Sequence, residues 1–211
     1  MTLVGWYLRR GIPWTVLLGC CAAAAVMALL LERWPSSALL VLPAMLATCA
    51  AAAAFSFDEP SLPVVEVTPR GGRWRRAARL CAAGVPLVVW LLLVALRPGD
   101  LALSLGGWWL VGLAATALTA GLAGLASRHA VDTPGGSLAA AAVLAALSPV
   151  VICAFLGWSS PYPIGDFPPG VLAFWIAAAG VAALLCVTAL CPAVRTGGAA
   201  VRTDRSAGDE R

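Results

Sequence analysis

Apolar residues in this chain do not alternate with polar ones in strand fashion. They run in blocks of about twenty, separated by short charged, proline-rich or glycine-rich segments. A block of that length is what an α-helix needs to cross a hydrocarbon core of about 30 Å with every backbone N–H and C=O paired inside the segment. Six blocks qualify, at residues 12–31, 37–56, 80–96, 103–126, 138–156 and 171–191, and none carries a charged side chain in its interior. Glu32, Arg33, Trp34 and Pro35 lie between the first two, so a tight turn is expected there. The first block is longer than the roughly 7–15 apolar residues of a cleavable signal peptide and a second follows at once, so it is expected to remain as a span.

Composition adds a class. Hydrophobic side chains make up 61% and charged ones 11% of 211 residues, with a mean hydropathy of +0.91, against about 45–50% and 25% in soluble domains. An ordinary soluble domain, a disordered chain and a disulfide scaffold are excluded together. The expected fold is all-α: a polytopic integral membrane protein with a six-helix transmembrane domain over residues 1–194 and a small, charged, disordered tail over 195–211.

Charge placement adds an orientation. Cytoplasmic flanks retain positive charge during insertion. All fourteen basic residues are arginines, and only Arg33 and Arg97 fall on the second side of a six-span topology. Arg9, Arg10, Arg70, Arg73, Arg75, Arg76, Arg79, Arg128, Arg195, Arg202, Arg205 and Arg211 share the first side, which places both termini in the cytoplasm. The absence of lysine, with the surplus of Ala, Gly, Arg and Pro, reads as the coding bias of a GC-rich bacterial genome and makes a bacterial plasma membrane the expected location.

Within the spans the polar chemistry is sparse. Helices in lipid associate by close contact between small residues, and Ala22–Ala25, Ala50–Ala54, Ala139–Ala142 and Ala177–Ala179 predict a tight bundle. Ala117, Ala120, Gly121 and Gly124 give small steps on the fourth span that would suit either that bundle or a homodimer. Pro43, Pro86 and Pro149 sit inside spans, where each removes one backbone bond. The hydroxyls of Thr15, Thr48, Ser104, Thr116, Thr119, Ser148 and Thr188 are expected to bond back to a carbonyl one turn earlier. Ion-coupled transporters and intramembrane enzymes place ionisable groups at membrane depth, and this chain offers none. Its seven cysteines form no C-x-x-C pair and read as small hydrophobes. The lone His129, beside Arg128 and Asp132, lacks companions for a metal. No nucleophile, zinc or phosphate-loop motif occurs. No catalytic, cofactor or metal residue and no nucleic-acid partner is expected, and any ATP hydrolysis belongs to another chain.

Two connecting segments carry content. The 57–79 loop leaves the second span with Asp58 and Glu59, passes three prolines, and enters the third span through Arg70, Arg73, Trp74, Arg75 and Arg76. Its arginines suit anionic headgroups, each worth about 1 kcal/mol near the surface; Asp58, Glu59 and that arginine cluster with Trp74 also suit a cytoplasmic docking surface. The 157–170 loop holds Trp158, Tyr162, Asp166 and Phe167 among prolines and is expected to fold onto the bundle, where it would serve as an outer cap.

Six spans with cytoplasmic termini, a main cytoplasmic loop between spans two and three and a structured outer loop between spans five and six resemble the permease subunits of bacterial ATP-binding-cassette exporters. The phrases FDEP and TPRGGRWRRAARL also resemble segments of actinobacterial membrane proteins that accompany such ATPases. The resemblance implies a partner ATPase in the cytoplasm, a coupling helix within Asp58 to Arg76, and a second membrane subunit or a homo-oligomer. The chain lacks a long amphipathic helix before its first span. Two other readings stay open on the same residues: a non-transporting accessory or assembly protein, and the substrate-binding membrane subunit of an uptake system with a pocket at Trp158, Tyr162 and Asp166.

Overall fold

The computed structural model describes residues 9, 11–58, 73–97, 101–128 and 135–191. They form α1 (Trp14–Arg33), a 3₁₀ turn (Pro35–Ser37), α2 (Ala38–Phe55), α3 (Arg73–Ala95), α4 (Leu105–Ala126), α5 (Gly135–Leu156) and α6 (Pro169–Leu190). No strand occurs among the described residues. All six α-helices are long and apolar enough to cross a membrane. The shortest, α2, has 18 residues, which at about 1.5 Å per residue reaches roughly 27 Å.

One boundary differs in a way that matters. The third helix begins at Arg73 rather than near Leu80, so Arg73, Trp74, Arg75, Arg76 and Arg79 ride on helical turns instead of in a loop. Arginine is a good helix former, and the nearest breakers, Gly71 and Gly72, precede the run rather than interrupt it. The fifth helix likewise starts at Gly135, before the apolar block proper. Helix continues through Pro43, Pro86 and Pro149.

The turn between α1 and α2 is tight, as its sequence requires. Trp34 N–H donates to the Leu30 carbonyl at 2.8 Å and Ser37 Oγ to the Trp34 carbonyl at 2.7 Å. The far end of α5 closes on Gly157, whose φ of +65° is the left-handed conformation that glycine adopts without a Cβ penalty. Trp158 N–H then reaches back to the Cys153 carbonyl at 3.1 Å, the bond of a Schellman ending.

The second helix is the axis of the bundle. It packs against α1, α3, α4 and α5, while α4 packs against α2, α3 and α6. Burial follows this order: 67% of the α2 span is buried, against 11% of α5 and 11% of α6. The alanine run Ala50–Ala54 is buried throughout, where side chains this short let neighbouring backbones approach.

The glycine steps of α4 are spent inside the chain. A Cβ at Gly121 would lie 2.8 Å from the Leu185 Cβ, and one at Gly124 3.0 Å from the Ala189 Cβ. Both glycines therefore face α6, and Cys186 Sγ donates to the Ala117 carbonyl at 3.4 Å on the same seam. With α6 fastened to α4 and α5 fastened to α2, the two outermost helices make no extensive contact with each other.

Candidate functional site

At the arginine-rich end, polar side chains tie helix ends together. Asp58 Oδ1 accepts the Gly135 N–H at 2.7 Å, placing a carboxylate at the N-terminus of α5 where free amides and the helix dipole favour negative charge. Arg79 is buried at 4% exposure and donates to the Phe57 carbonyl. Arg128 donates to the carbonyls of Thr188 and Cys191, which lets a cation close the C-terminus of α6. An arginine one turn before an apolar block has to find a carbonyl, and that was the signal available in the sequence for Arg79.

The expected docking residues are thus divided. Trp74, Arg75 and Arg76 lie half-buried on the opening turn of α3 and Arg73 begins that helix. Asp58 is committed to α5 within the chain. Glu59 and Arg70 lie outside the described residues, as does His129.

Between α5 and α6 lies a cleft of about 600 Å³. Ala141, Ala142, Ala145 and Ala146 form one wall, and Ala177, Ala178 and Val181 the other. Leu46 and Ala50 of α2, with Ala115, Leu118 and Thr119 of α4, form its floor, and Tyr162, Phe174 and Trp175 line it as well. Ala141 and Ala142 of α5 and Ala177 and Ala178 of α6, from runs expected to pack tightly, instead line this space because their helices are anchored to different partners, while Ala139 packs against Ala51 and Ala54 of α2. Thr119 spends its hydroxyl on the Ala115 carbonyl at 2.9 Å. Thr48, Thr116 and Thr188 likewise bond to carbonyls three or four residues back, which leaves their helices apolar outside.

The 157–170 loop folds down beside this cleft. Tyr162 stacks on Trp108 at 6.2 Å between ring centroids and tilts against Trp175 at 5.8 Å. Phe167 meets Trp108 edge-on at 6.2 Å, and Trp90 completes the cluster 6.0 Å from Trp108. Offset and edge-on pairs of this kind suit the ring quadrupoles. Gly107 and Gly112 make room for them, since a Cβ at Gly107 would enter the Phe167 ring and one at Gly112 the Trp90 ring. The backbone joins in: Ser104 N–H donates to the Gly165 carbonyl at 3.3 Å, with Gly165 at φ +101°. Of the four expected cap residues, Tyr162 and Phe167 pack into the cluster, whereas Trp158 and Asp166 stay exposed.

Hydrogen bonding in the cluster is incomplete. Trp90 Nε1 donates to the Trp108 carbonyl at 3.0 Å and Trp175 Nε1 to the Pro161 carbonyl at 2.9 Å. The buried Trp108 Nε1 finds no acceptor among the described residues. Burial pushes the Tyr162 hydroxyl up to about 12, so it stays protonated and able to donate at any physiological pH. Nothing in the spacing of Trp90, Trp108 and Trp175 marks them as one cluster, because they lie on three helices; only the aromatics of the loop were legible.

Among the described residues no group of three or more His, Cys, Asp or Glu side chains is placed to hold a metal. All seven cysteines are free. The fold and cleft define an all-α, multi-pass membrane protein with six candidate spans. Compared with known proteins, the chain matches no family model, no curated protein and no solved structure.

Proposed function

We propose that this chain is the membrane-spanning subunit of a multicomponent transporter of the bacterial plasma membrane, most simply an exporter, driven by an ATPase on a separate chain. The observation that carries the reading is the α5–α6 cleft, a volume of ligand size within the bundle. Its lining has no ionisable group except the Tyr162 phenol among the described residues. Coupling to a proton or ion gradient uses carboxylates or histidines at such a place, so energy has to arrive from outside the membrane.

The arginine-rich end suits that delivery. With both termini and this end in the cytoplasm, Trp74, Arg75 and Arg76 on the first turn of α3 present a basic, aromatic surface to a soluble partner. A second membrane subunit or a second copy of the chain would cover the bare faces of α5 and α6, of which 11% each is buried.

Purification from host membranes in a mild detergent tests the reading. Wild-type chain is expected to bring down an ATP-binding subunit in stoichiometric amount, and Arg75→Glu/Arg76→Glu to lose it while the chain itself elutes unchanged. Recovery of the wild-type chain free of any ATPase would overturn the proposal and favour the accessory-protein reading.

A further inference from the structure

The polar groups around the α5–α6 cleft can be followed one by one. Thr119 Oγ1 is taken by the Ala115 carbonyl and Trp175 Nε1 by the Pro161 carbonyl. That leaves the hydroxyl of Tyr162, a side chain 4% exposed that lines the cleft and whose oxygen has no partner among the described residues. Beside it, Trp108, whose ring stacks on Tyr162, holds a buried Nε1 without an acceptor among the described residues. Buried donors are satisfied in nearly every folded protein. Of the two, only Tyr162 lines the cleft, and its hydroxyl, which is not fully enclosed, is open to an acceptor that the chain does not supply.

We propose that the cleft binds one hydrocarbon chain of a membrane phospholipid, lying along the alanine walls of α5 and α6, with an ester carbonyl oxygen of that lipid accepting the Tyr162 hydroxyl. This deepens the transporter reading and rests on it for the lipid's role as cargo, but not for its binding.

Size separates a lipid chain from a protein helix. About 600 Å³ is the volume of a small-molecule pocket. A helix about 10 Å across and 30 Å long displaces roughly 2400 Å³, more than the cleft can enclose. Position agrees with a lipid as well. The cleft opens between the two least buried helices, where a lipid chain enters sideways, and Tyr162 belongs to a loop at the end of the spans, where the ester linkages of a bilayer lie. Alanine side chains add nothing that would select a chain by shape, so selection falls to the hydroxyl, which donates to carbonyl oxygen and ignores cations.

The test is native mass spectrometry of the full chain reconstituted with 1-palmitoyl-2-oleoyl-phosphatidylglycerol, and in parallel with its ether-linked analogue. Wild type is expected to retain one ester lipid under activation that strips all others. Tyr162→Phe, which keeps the ring stack, and the ether lipid should each lower that occupancy about fivefold, the value of one neutral hydrogen bond. Ala142→Trp, which fills the cleft, should abolish it. Equal retention by Tyr162→Phe, retention unaffected by Ala142→Trp, or detergent held as firmly as lipid would each overturn the inference. A second polypeptide released by Ala142→Trp would overturn it in favour of a protein occupant. Failure of the ATPase to co-purify would sink the transporter reading and leave this result standing.

Discussion

Gly112→Val is expected to destroy the folded bundle or to lower its melting temperature by about 6–12 °C. A Cβ at this position would fall within the ring of Trp90, which with Trp108 is one of the two largest fully buried side chains among the described residues. That ring has nowhere to move: it lies 6.0 Å from Trp108 and its Nε1 is held by the Trp108 carbonyl at 3.0 Å. Overpacking a well-filled interior costs about 1–3 kcal/mol or more, and loss of the indole hydrogen bond adds about 1 kcal/mol. A total near 3 kcal/mol is a large share of the roughly 5–15 kcal/mol that keeps a protein folded, and for a chain of this length each kcal/mol is worth about 2–4 °C. Gly106→Ala is the control, because a Cβ there meets nothing within 4 Å. Thermal unfolding in detergent, followed by near-ultraviolet circular dichroism of the tryptophans, reads both. A Gly112→Val protein that melts with wild type would mean that Trp90 does not sit against this helix.

The second large effect is expected at Gly121. The nearest atoms to an added Cβ are Leu185 Cβ at 2.8 Å and the Cys186 backbone nitrogen at 3.2 Å. Backbone cannot swing aside as a side chain does, so Gly121→Val has to push α6 away from α4. Because α4 is the main support of α6, the cost is expected at about 2–3 kcal/mol and the consequence reaches the cleft. Cys186 reports it: half-buried and bonded to the Ala117 carbonyl at 3.4 Å, it should react with a bulky maleimide at least tenfold faster in the variant. Peptide mapping separates it from the exposed Cys81 and Cys191. Gly180→Ala, on an open face of α6, should leave the rate unchanged.

What could be read from the sequence follows from the range over which each determinant acts. A span is specified by consecutive residues, and so the six helices were legible from unbroken apolar blocks. The start of α3 was misplaced because apolarity and helicity are different properties: Arg73 to Arg79 lack the first and possess the second. The cleft was illegible for a stronger reason. Ala139–Ala142 and Ala177–Ala179 look alike to any local rule of small-residue packing, yet whether they touch depends on where α5 and α6 are anchored. Gly121 and Gly124 settle that for α6, and Asp58 helps settle it for α5 by holding Gly135 from across the 77 residues that separate them. The same distance in sequence hid the role of Asp58, whose carboxylate reads as a free loop charge until the start of α5 is brought beside it. Tyr162 was singled out as an aromatic of the loop, but its lack of a hydrogen-bond partner is visible only once the neighbouring carbonyls are in place.

On the transporter proposal, the space between α5 and α6 is where this protein meets its cargo, with the energy supplied at the arginine-rich end. The most direct test of that proposal is lipid-stimulated ATP hydrolysis by the complex recovered from host membranes, wild type against Ala142→Trp. The variant is expected to assemble with the ATPase as wild type does, but its hydrolysis should no longer rise when phosphatidylglycerol is added. An assembled Ala142→Trp complex stimulated as strongly as wild type would contradict the proposal.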